Sequence, residues 1–249
     1  MTLKFSPHFS VGRNILLQLP RINPNAKELT DYKNILPDLS EVQSHWSAGL
    51  LLGDSSISAN SNLKSFRLKM QQSEANSSLL FATAEILRPF VLTGVSELKT
   101  RKQGNSYREL QTLSCPQFTP LAELFAESVD TIRPNSVIQK VIPSNIADFL
   151  SPVSVGAWFC SDGGRRDYGS NEGKAVQFHT QGFTKKDCET LVSALKSNYE
   201  WEVDLKLDYE DKYYIQIEAS SFDSFKSIVS PYILDHFLER LPKPLHTNV

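Results

Sequence analysis

Two aspartates, Asp54 and Asp162, are the residues of this sequence whose surroundings predict chemistry. Each stands at the end of a helical stretch, and each follows small residues at one and five positions earlier. These small residues are Gly53 and Gly49 before Asp54, and Ser161 and Ala157 before Asp162. Positions four apart share one helix face, and a face of small side chains lets two backbones approach closely. We therefore expect the two helices to pair along these faces, with both carboxylates at the same end.

Two carboxylates held close together need positive charge nearby. They repel each other, and the C-terminal end of a helix also disfavours negative charge. Hard divalent cations, Mg²⁺ first among them, bind carboxylate and phosphate oxygens together. A glycine beside an aspartate is also a common signal for a helix end, so that either acid alone would be structural. The repetition of the pattern favours a functional pair.

The same order of elements occurs in both halves of the chain, which indicates an internal duplication. Each half is predicted to contain a helix, a strand, a helix, two strands and a helix, so the predicted fold class is α+β. The two leading helices end 108 residues apart. The predicted helices cover about residues 40–54, 74–88, 119–129, 151–162, 184–197 and 221–239, and the predicted strands cover about residues 66–71, 91–102, 106–114, 176–181, 203–208 and 212–217.

Composition limits the class of protein. The chain has 249 residues, of which 40% are hydrophobic, and no apolar run approaches the roughly 20 residues of a membrane-spanning helix. The formal net charge of −2 does not by itself indicate a nucleic-acid partner. Residues 64–108 nevertheless hold eight basic and three acidic residues, although a solvated polar surface is the simplest explanation of such a region. The cysteines and histidines show no spacing that is typical of a zinc site or a Ser-His-Asp catalytic group.

The segments around the two aspartates resemble the two motifs of the LAGLIDADG homing endonucleases. Residues 46–58 have the sequence WSAGLLLGDSSIS, and residues 150–168 have the sequence LSPVSVGAWFCSDGGRRDY. The second segment and its continuation TQGFT at residues 180–184 are most similar to single-chain members from yeast mitochondria. The resemblance extends over about residues 40–242. It implies two αββαββα halves, each with an antiparallel sheet that lies in the DNA major groove.

The resemblance also implies an activity and a cofactor. The activity is hydrolysis of both DNA strands at a long asymmetric site, with Mg²⁺ as cofactor and Mn²⁺ as a substitute. Asp54 and Asp162 correspond to the metal-binding catalytic acids, with the backbone of Gly53 and Ser161 as further ligands. The sequence departs from the family pattern at Ser161. This serine stands where the similar single-chain type from yeast mitochondria has an acid.

The resemblance implies basic and polar residues around these acids. Lys140 and Arg240 fall where the family has basic residues near the metal centre, and Asp167 corresponds to a polar neighbour of the second motif. Arg240 stands where the similar single-chain type from yeast mitochondria has a lysine. An arginine cannot lose its proton, so Arg240 can orient water or stabilise charge but cannot act as a general base.

The polar strand faces of such a fold would contact DNA. They combine hydrogen-bonding groups for base edges with cations for phosphates, whereas Asp204 and Asp208 on the same face do not favour phosphate. The residues expected at DNA are Lys64, Arg67, Lys69, Gln71, Lys99, Arg101 and Lys102 in the first half, and Arg165, Arg166, Lys174, Gln177, His179, Gln181, Lys206, Tyr214 and Gln216 in the second half.

The sequence thus predicts four regions and one leading function. The regions are an N-terminal arm (1–37), a first half (38–133), a linker (134–149) and a second half (150–249). The leading hypothesis is a monomeric site-specific endonuclease that binds double-stranded DNA and no membrane. The alternative is a maturase that binds intron RNA and assists splicing, and a transcription regulator is a third class. The resemblance suggests an organelle as the compartment, a mitochondrion before a chloroplast.

Overall fold

The chain folds into two similar α+β halves, as the sequence predicts. The computed structural model describes residues 27–101, 104–166 and 175–242. The first half contains helices α1 (Lys27–Asn34), α2 (Glu41–Leu52), α3 (Ser78–Ile86) and α4 (Thr119–Phe125), and strands β1 (Ser56–Ala59), β2 (Phe66–Ser73), β3 (Lys99–Thr100) and β4 (Ser106–Gln111). The second half contains helices α5 (Pro152–Asp162), α6 (Lys185–Tyr199), α7 (Phe222–Val229) and α8 (Asp235–Leu238), and strands β5 (Gly163–Arg165), β6 (Val176–His179), β7 (Val203–Tyr209) and β8 (Lys212–Ile217).

Each half forms one four-stranded antiparallel sheet. The strand orders are β1-β2-β4-β3 and β5-β6-β8-β7. Ile57 pairs with Leu68 in the first sheet, and Arg165 pairs with Val176 in the second. These two pairs are 108 residues apart, as are Asp54 and Asp162, so the duplication holds at the level of single residues.

Strand β2 shows why the sheets have one apolar and one polar face. Phe66, Leu68 and Met70 are buried, whereas Arg67 is exposed and Lys69 is half-buried. Successive side chains of a strand point to opposite faces, so this alternation places the apolar residues against the helices. Large apolar residues of the two motif helices, among them Leu50, Leu51, Trp158 and Phe159, belong to the same continuous core.

The starts of α2 and α5 are fixed by local hydrogen bonds. The hydroxyl of Ser40 accepts a hydrogen bond from the backbone N–H of Gln43, and the side chain of Gln43 accepts one from the N–H of Ser40. The Ser151 hydroxyl caps α5 by accepting from the N–H of Ser154, with Pro152 in the first turn. Such caps stabilise helices by about 1 kcal/mol each. Both motif helices therefore begin at a residue that a side-chain cap defines.

Several predicted elements have different bounds in the structure. The predicted strand over 91–102 is only Lys99–Thr100, and α4 ends at Phe125 rather than near residue 129. Pro231 falls inside the predicted final helix, which is divided there into α7 and α8, because proline lacks the N–H that a continuous helix requires. Strands β1 and β5 were not predicted from periodicity, since three or four residues are too few to show an alternation.

The described parts of the predicted arm and linker pack against the first half. Residues 1–26 of the arm lie outside the described residues, but α1 packs on the first half with Leu29 buried and the Tyr32 hydroxyl donating to Pro89 O at 2.8 Å. In the linker the N–H of Ile138 donates to Ile57 O at 2.9 Å, so the linker runs along β1. Among the described residues no helix has the length and apolar character needed to cross a membrane.

Candidate active site

The two motif helices α2 and α5 contact each other through their small residues. A Cβ atom added at Gly49 would lie 2.1 Å from Ser154 O and 2.9 Å from Ala157 Cβ. A Cβ atom added at Gly53 would lie 2.4 Å from the Ser161 hydroxyl oxygen. Real Cβ atoms do not approach other heavy atoms this closely. The structure therefore places all four of the predicted interface residues at a contact that only small side chains permit.

This contact brings the two acids to the same end of the helix pair. The backbone N–H of Asp54 donates to the Ser161 hydroxyl at 3.0 Å, and the Cβ position of Gly53 lies 3.1 Å from Asp162 Oδ2. Burial, followed by the negative charge of Asp54, raises the pKa of Asp162 to about 7, although Lys140 and Arg240 act in the opposite direction. Free carboxylates are thus costly here, and a bound cation would stabilise them.

Lys140 binds the backbone carbonyl groups at the C-terminal end of α2. Its Nζ donates hydrogen bonds to Leu51 O at 2.6 Å, Gly53 O at 2.7 Å and Ser55 O at 2.9 Å. Burial lowers the pKa of Lys140 to about 8, while the charges of Asp162 and Asp54 act in the opposite direction. Lys140 is therefore mostly protonated at neutral pH, and its three carbonyl acceptors favour that form. It supplies a fixed positive charge just behind the acids.

Replacement of this lysine should destabilise the first half. We expect Lys140→Met to lower the free energy of unfolding by about 3 kcal/mol, because three buried carbonyl groups lose a charged donor. Denaturant unfolding measures the change. Lys226→Met on the exposed face of α7 is the control and should change the free energy by less than about 0.5 kcal/mol. Equal free energies of the two variants would mean that the carbonyl bonds of Lys140 contribute nothing.

Arg240 performs the corresponding task at the end of α5. Its guanidinium donates to Cys160 O at 3.3 Å and to Asn76 Oδ1 at 2.8 Å, and it lies over the ring of Phe237 at 4.4 Å. Burial lowers the pKa of Arg240, but a guanidinium remains charged at neutral pH. Each helix end therefore has one basic side chain on its carbonyl groups.

Gln72 is a site residue that the sequence analysis missed. Its side chain is buried, and its Nε2 lies 3.5 Å from Asp54 Oδ2. The signal was present in strand β2, where Phe66, Leu68 and Met70 mark the buried face and Gln72 is the next position on it. A polar residue on the buried face of a strand requires a polar partner, which here is the acid.

A cavity of about 360 Å³ opens beside the two acids on the side of the second half. Lys140 and Asp162 line it, together with His179, Thr180 and Asp187. His179 is exposed and lies at the end of β6. The cavity gives a phosphate group or water molecules access to the carboxylates, and it forms because the linker and the second sheet meet here.

The donor set suits a hard divalent cation that is shared with a substrate. Within the described ranges, no group of three or more His, Cys, Asp and Glu side chains is close enough to hold a metal ion by itself. Asp54 and Asp162 supply two carboxylates, and Mg²⁺ typically binds one or two carboxylates together with water and substrate phosphates. The residues present therefore fit a metal ion whose coordination is completed by DNA.

The outer face of the first sheet is cationic but contains one acid. Glu109 pairs with Lys69 at 3.5 Å and also bonds Lys99 and the Gln71 amide. The hydrogen bond from Lys99 is the largest cause of the lowered pKa of Glu109. Arg101 donates to Gln71 Oε1 at 3.2 Å. Of the other residues expected at DNA in this half, Lys64 and Arg67 are exposed.

The outer face of the second sheet is more covered than expected. Tyr214 and Gln216 lie on the predicted face, opposite His179 and Gln177 in the register, but they are only 6% and 8% exposed. Arg166 covers them, because its guanidinium lies 4.7 Å from the Tyr214 ring and donates to Gln216 Oε1 at 3.0 Å. The expectation that both side chains are open to solvent is wrong for the free chain.

The remaining residues expected at DNA are partly bonded to acids. Lys206 pairs with Asp204 at 2.8 Å and with Glu218 at 3.1 Å, and Gln181 donates to Asp208 at 2.9 Å. Arg165 and Gln177 are half-buried on strands β5 and β6. The predicted site residues Lys102, Asp167 and Lys174 lie outside the described residues.

Comparison with known proteins assigns this chain to a family. The LAGLIDADG DNA endonuclease family model matches residues 46–225, which include both acids and both sheets. The chain belongs to the LAGLIDADG DNA endonuclease family. This result confirms the family, the fold class and the DNA endonuclease activity that the two motifs predict.

Individual relatives of this LAGLIDADG protein agree with the assignment. The "Probable intron-encoded endonuclease 1" of Wickerhamomyces canadensis is 25% identical over 88% of this chain and 92% of its own length. The "Cytochrome b mRNA maturase bI2" of Debaryomyces hansenii is 27% identical over 75% of this chain and 68% of its own length. The solved structure of the homing endonuclease I-WcaI bound to its DNA recognition sequence has a TM-score of 0.80 and 23% identity, covers 94% of this chain and 99% of its own, and shows the same fold.

Proposed function

We propose that this chain hydrolyses both strands of a long asymmetric DNA site with the help of a divalent cation, Mg²⁺ or Mn²⁺, held by Asp54 and Asp162. The observation that carries the proposal is the contact of α2 and α5 through residues without bulky side chains, which supports a shared site for the two acids at the same end of the helix pair. Both acids come from a single chain, so a monomer can provide the whole centre.

Hydrolysis of each strand requires one water molecule and one phosphodiester bond. The water oxygen forms a bond to phosphorus, the bond from phosphorus to the 3′ oxygen breaks, one proton goes to that 3′ oxygen and the other leaves to solvent. A bound divalent cation lowers the pKa of water and stabilises the developing charge. Asp54 and Asp162 are the residues that would hold it, together with phosphate oxygens.

The two basic residues contribute charge rather than proton transfer. Lys140 uses its three N–H groups on Leu51, Gly53 and Ser55, and Arg240 is bound to Cys160 O and Asn76. Both offset the negative helix ends and the negative phosphate that must approach them. The Gly53 carbonyl, expected as a metal ligand, already accepts from Lys140, which leaves one lone pair for a further ligand.

The two sheets supply recognition of an asymmetric target. The first presents Arg67, Lys69 and Gln71, and the second presents Gln177, His179 and Gln181. The 108-residue offset relates Lys69 to Gln177 and Gln71 to His179, whereas Arg67 corresponds to Ala175 and Gln181 to Ser73. Side chains of different hydrogen-bonding type favour different bases in the major groove. The two half-sites are therefore proposed to differ in sequence, and the cations of the first sheet provide most of the phosphate attraction.

Removal of the negative charge of Glu109 on the first sheet should strengthen non-specific DNA binding. Glu109→Gln leaves the side-chain volume nearly unchanged but frees Lys69 and Lys99 from their ion pairs. We expect affinity for random-sequence duplex DNA to rise by about three- to tenfold, with a steeper dependence on salt concentration. Fluorescence anisotropy over a salt series measures both. Glu123→Gln on α4 is the control, and an equal change in both variants would contradict this role of Glu109.

The proposed function is tested by selection of cleaved sites from a randomised plasmid library. With Mg²⁺ the intact protein should yield a single long asymmetric motif, and with EDTA it should yield none. The variant with both Asp54→Asn and Asp162→Asn should yield none in either condition. Cutting that persists in EDTA would contradict metal dependence, and cutting by the double variant would contradict the assignment of the acids.

An intron RNA maturase is the second candidate, favoured by the likeness to the cytochrome b mRNA maturase of Debaryomyces hansenii. Binding of RNA would not require the two acids. Absence of cutting, together with Mg²⁺-independent binding of structured intron RNA, would favour this candidate. We place the protein in an organelle, the mitochondrion before the chloroplast, because its yeast relatives are an intron-encoded endonuclease and a cytochrome b mRNA maturase.

A further inference from the structure

The linker passes from the first half to the second at two adjacent peptide groups. The N–H of Val141 donates to Phe125 O in the first half at 2.9 Å, whereas the N–H of Ile142 donates to the Asp187 carboxylate in the second half at 3.0 Å. Asp187 lies in the first turn of α6. Lys140, which binds the carbonyl groups at the end of α2, directly precedes these two residues. The backbone next to Lys140 is therefore held from both halves.

The two carboxylate oxygens of Asp187 bind different parts of the molecule. One oxygen accepts from the backbone N–H of Thr184 at 3.1 Å and from its hydroxyl at 2.6 Å, and these bonds belong to the capping box of α6. The other oxygen accepts from the N–H of Ile142, which is 45 residues away in the sequence. A capping box requires only the first oxygen. The second oxygen is therefore free to hold the linker.

The ammonium group of Lys140 depends on the placement of its backbone. Its three N–H groups are all used on the carbonyl oxygens of Leu51, Gly53 and Ser55, and its Nζ lies 5.6 Å from the centre of the Phe183 ring in the loop before α6. A lysine side chain is a flexible four-carbon chain, so it keeps three bonds at once only when its backbone is fixed. The linker provides that fixed backbone.

The equivalent loop of the first half contacts the other basic residue directly. The 108-residue offset relates Thr184 to Asn76, whose side-chain oxygen accepts from Arg240 at 2.8 Å. Lys140 has no N–H group left for such a contact, so the second half reaches this lysine through the backbone of Ile142. The segments before and at the start of α3 and α6 thus both hold a basic residue at the end of a motif helix.

We propose that Asp187 is a positioning residue for the metal centre, because through the linker it keeps the charged end of Lys140 on the carbonyl groups behind the two acids. The effect on cutting rests on the hydrolytic function proposed above, whereas the effect on the position of Lys140 does not. Groups that orient a metal site without touching the ion typically change activity about ten- to a hundredfold when they are removed. Asp187→Ala should therefore slow single-turnover cutting about tenfold or more and leave DNA affinity within about threefold.

Nuclear magnetic resonance of the lysine ammonium groups measures the position of Lys140 without any cutting. In the intact protein at about pH 6, this group should give a ¹H–¹⁵N signal, because buried hydrogen bonds slow the exchange of its protons with water. Lys140→Met identifies the signal by its loss. Asp187→Ala should broaden the signal or move it toward the signals of exposed lysines.

Thr184→Ala is the matched control on the same helix. It removes the bond from the Asp187 N–H to the Thr184 hydroxyl but leaves the bond between Asp187 and Ile142 in place. Both alanine variants should lower the melting temperature by a few degrees, since both weaken the cap of α6. Only Asp187→Ala should change the Lys140 signal and the cutting rate.

Asp187→Asn is a milder second variant, and it carries the test if Asp187→Ala does not fold. It keeps the size of the side chain but has one acceptor oxygen, which cannot serve Thr184 and Ile142 together as the carboxylate does. The Lys140 signal and the cutting rate of this variant should lie between those of the intact protein and those of Asp187→Ala.

The possible outcomes separate this inference from the function on which it rests. Equal Lys140 signals or equal single-turnover rates in Asp187→Ala and Thr184→Ala would overturn the inference alone, as would an unchanged signal in Asp187→Asn. Absence of cutting by the intact protein would overturn the proposed function, and the Lys140 signal would still decide whether Asp187 positions the lysine.

Discussion

Asp54→Asn and Asp162→Asn are each expected to reduce double-strand cutting at least about a thousandfold while DNA affinity stays within about tenfold. Each change replaces a carboxylate by a neutral amide of the same shape. The site then binds less tightly the divalent cation that would stabilise the transition state. The residues expected to bind DNA are other residues, most of the described ones on the sheets, and neither change alters them. Plasmid linearisation measures cutting, and fluorescence anisotropy in Ca²⁺ measures binding.

A stability measurement distinguishes a catalytic from a structural role for these acids. Asp162→Asn should not lower the melting temperature of the metal-free protein and is expected to raise it by a few degrees, because it removes repulsion between two carboxylates at helix C-terminal ends. Asp38→Asn, at an exposed position, is the control for both activity and stability. A fall in melting temperature together with loss of DNA binding would make Asp162 a structural residue.

Gly49→Ala should destabilise the protein by about 3 kcal/mol or more, the largest stability effect that we expect from a single methyl group. In a helix interior alanine is more stable than glycine by about 1 kcal/mol, and this propensity alone would raise the free energy of unfolding. The new Cβ atom, however, would lie 2.1 Å from Ser154 O, a backbone atom of α5, so the two helices must move apart. Denaturant unfolding measures the loss.

Gly182→Ala is the matched control for this change. A Cβ atom at Gly182 meets no atom within 4 Å, so the free energy of unfolding should change by less than about 0.5 kcal/mol. In Gly49→Ala any remaining folded protein should also cut DNA more slowly, because separation of α2 and α5 separates Asp54 and Asp162. Equal stability of the two variants would show that the close helix contact is not required.

The sequence predicts the duplicated order of elements and the pairing of α2 and α5 because these features depend on local patterns. Apolar spacing defines β2, Ser40 and Ser151 define helix starts, and the small residues define which helix faces meet. Each signal lies within about ten residues of chain. The register between the halves then follows, since the same pattern occurs twice at one offset.

The other features of the site depend on contacts between residues far apart in sequence. Lys140 reaches the carbonyl groups at and just after the end of α2 across more than 80 residues, and Arg240 reaches Asn76 across 164. The cover of Arg166 over Tyr214 and Gln216 likewise needs three strands to assemble first. Periodicity contains no information on such contacts, which is why the strand faces were predicted correctly but their exposure was not.

Direct measurement of Mn²⁺ binding tests the central claim, that Asp54 and Asp162 together hold a divalent cation on DNA. The loss of the free-ion signal in electron paramagnetic resonance reports bound Mn²⁺ in the complex of protein with its selected target. We expect the intact complex to bind Mn²⁺ and the complex of the double variant Asp54→Asn, Asp162→Asn to bind it at least about a hundredfold more weakly. Equal Mn²⁺ binding by both complexes would contradict the account.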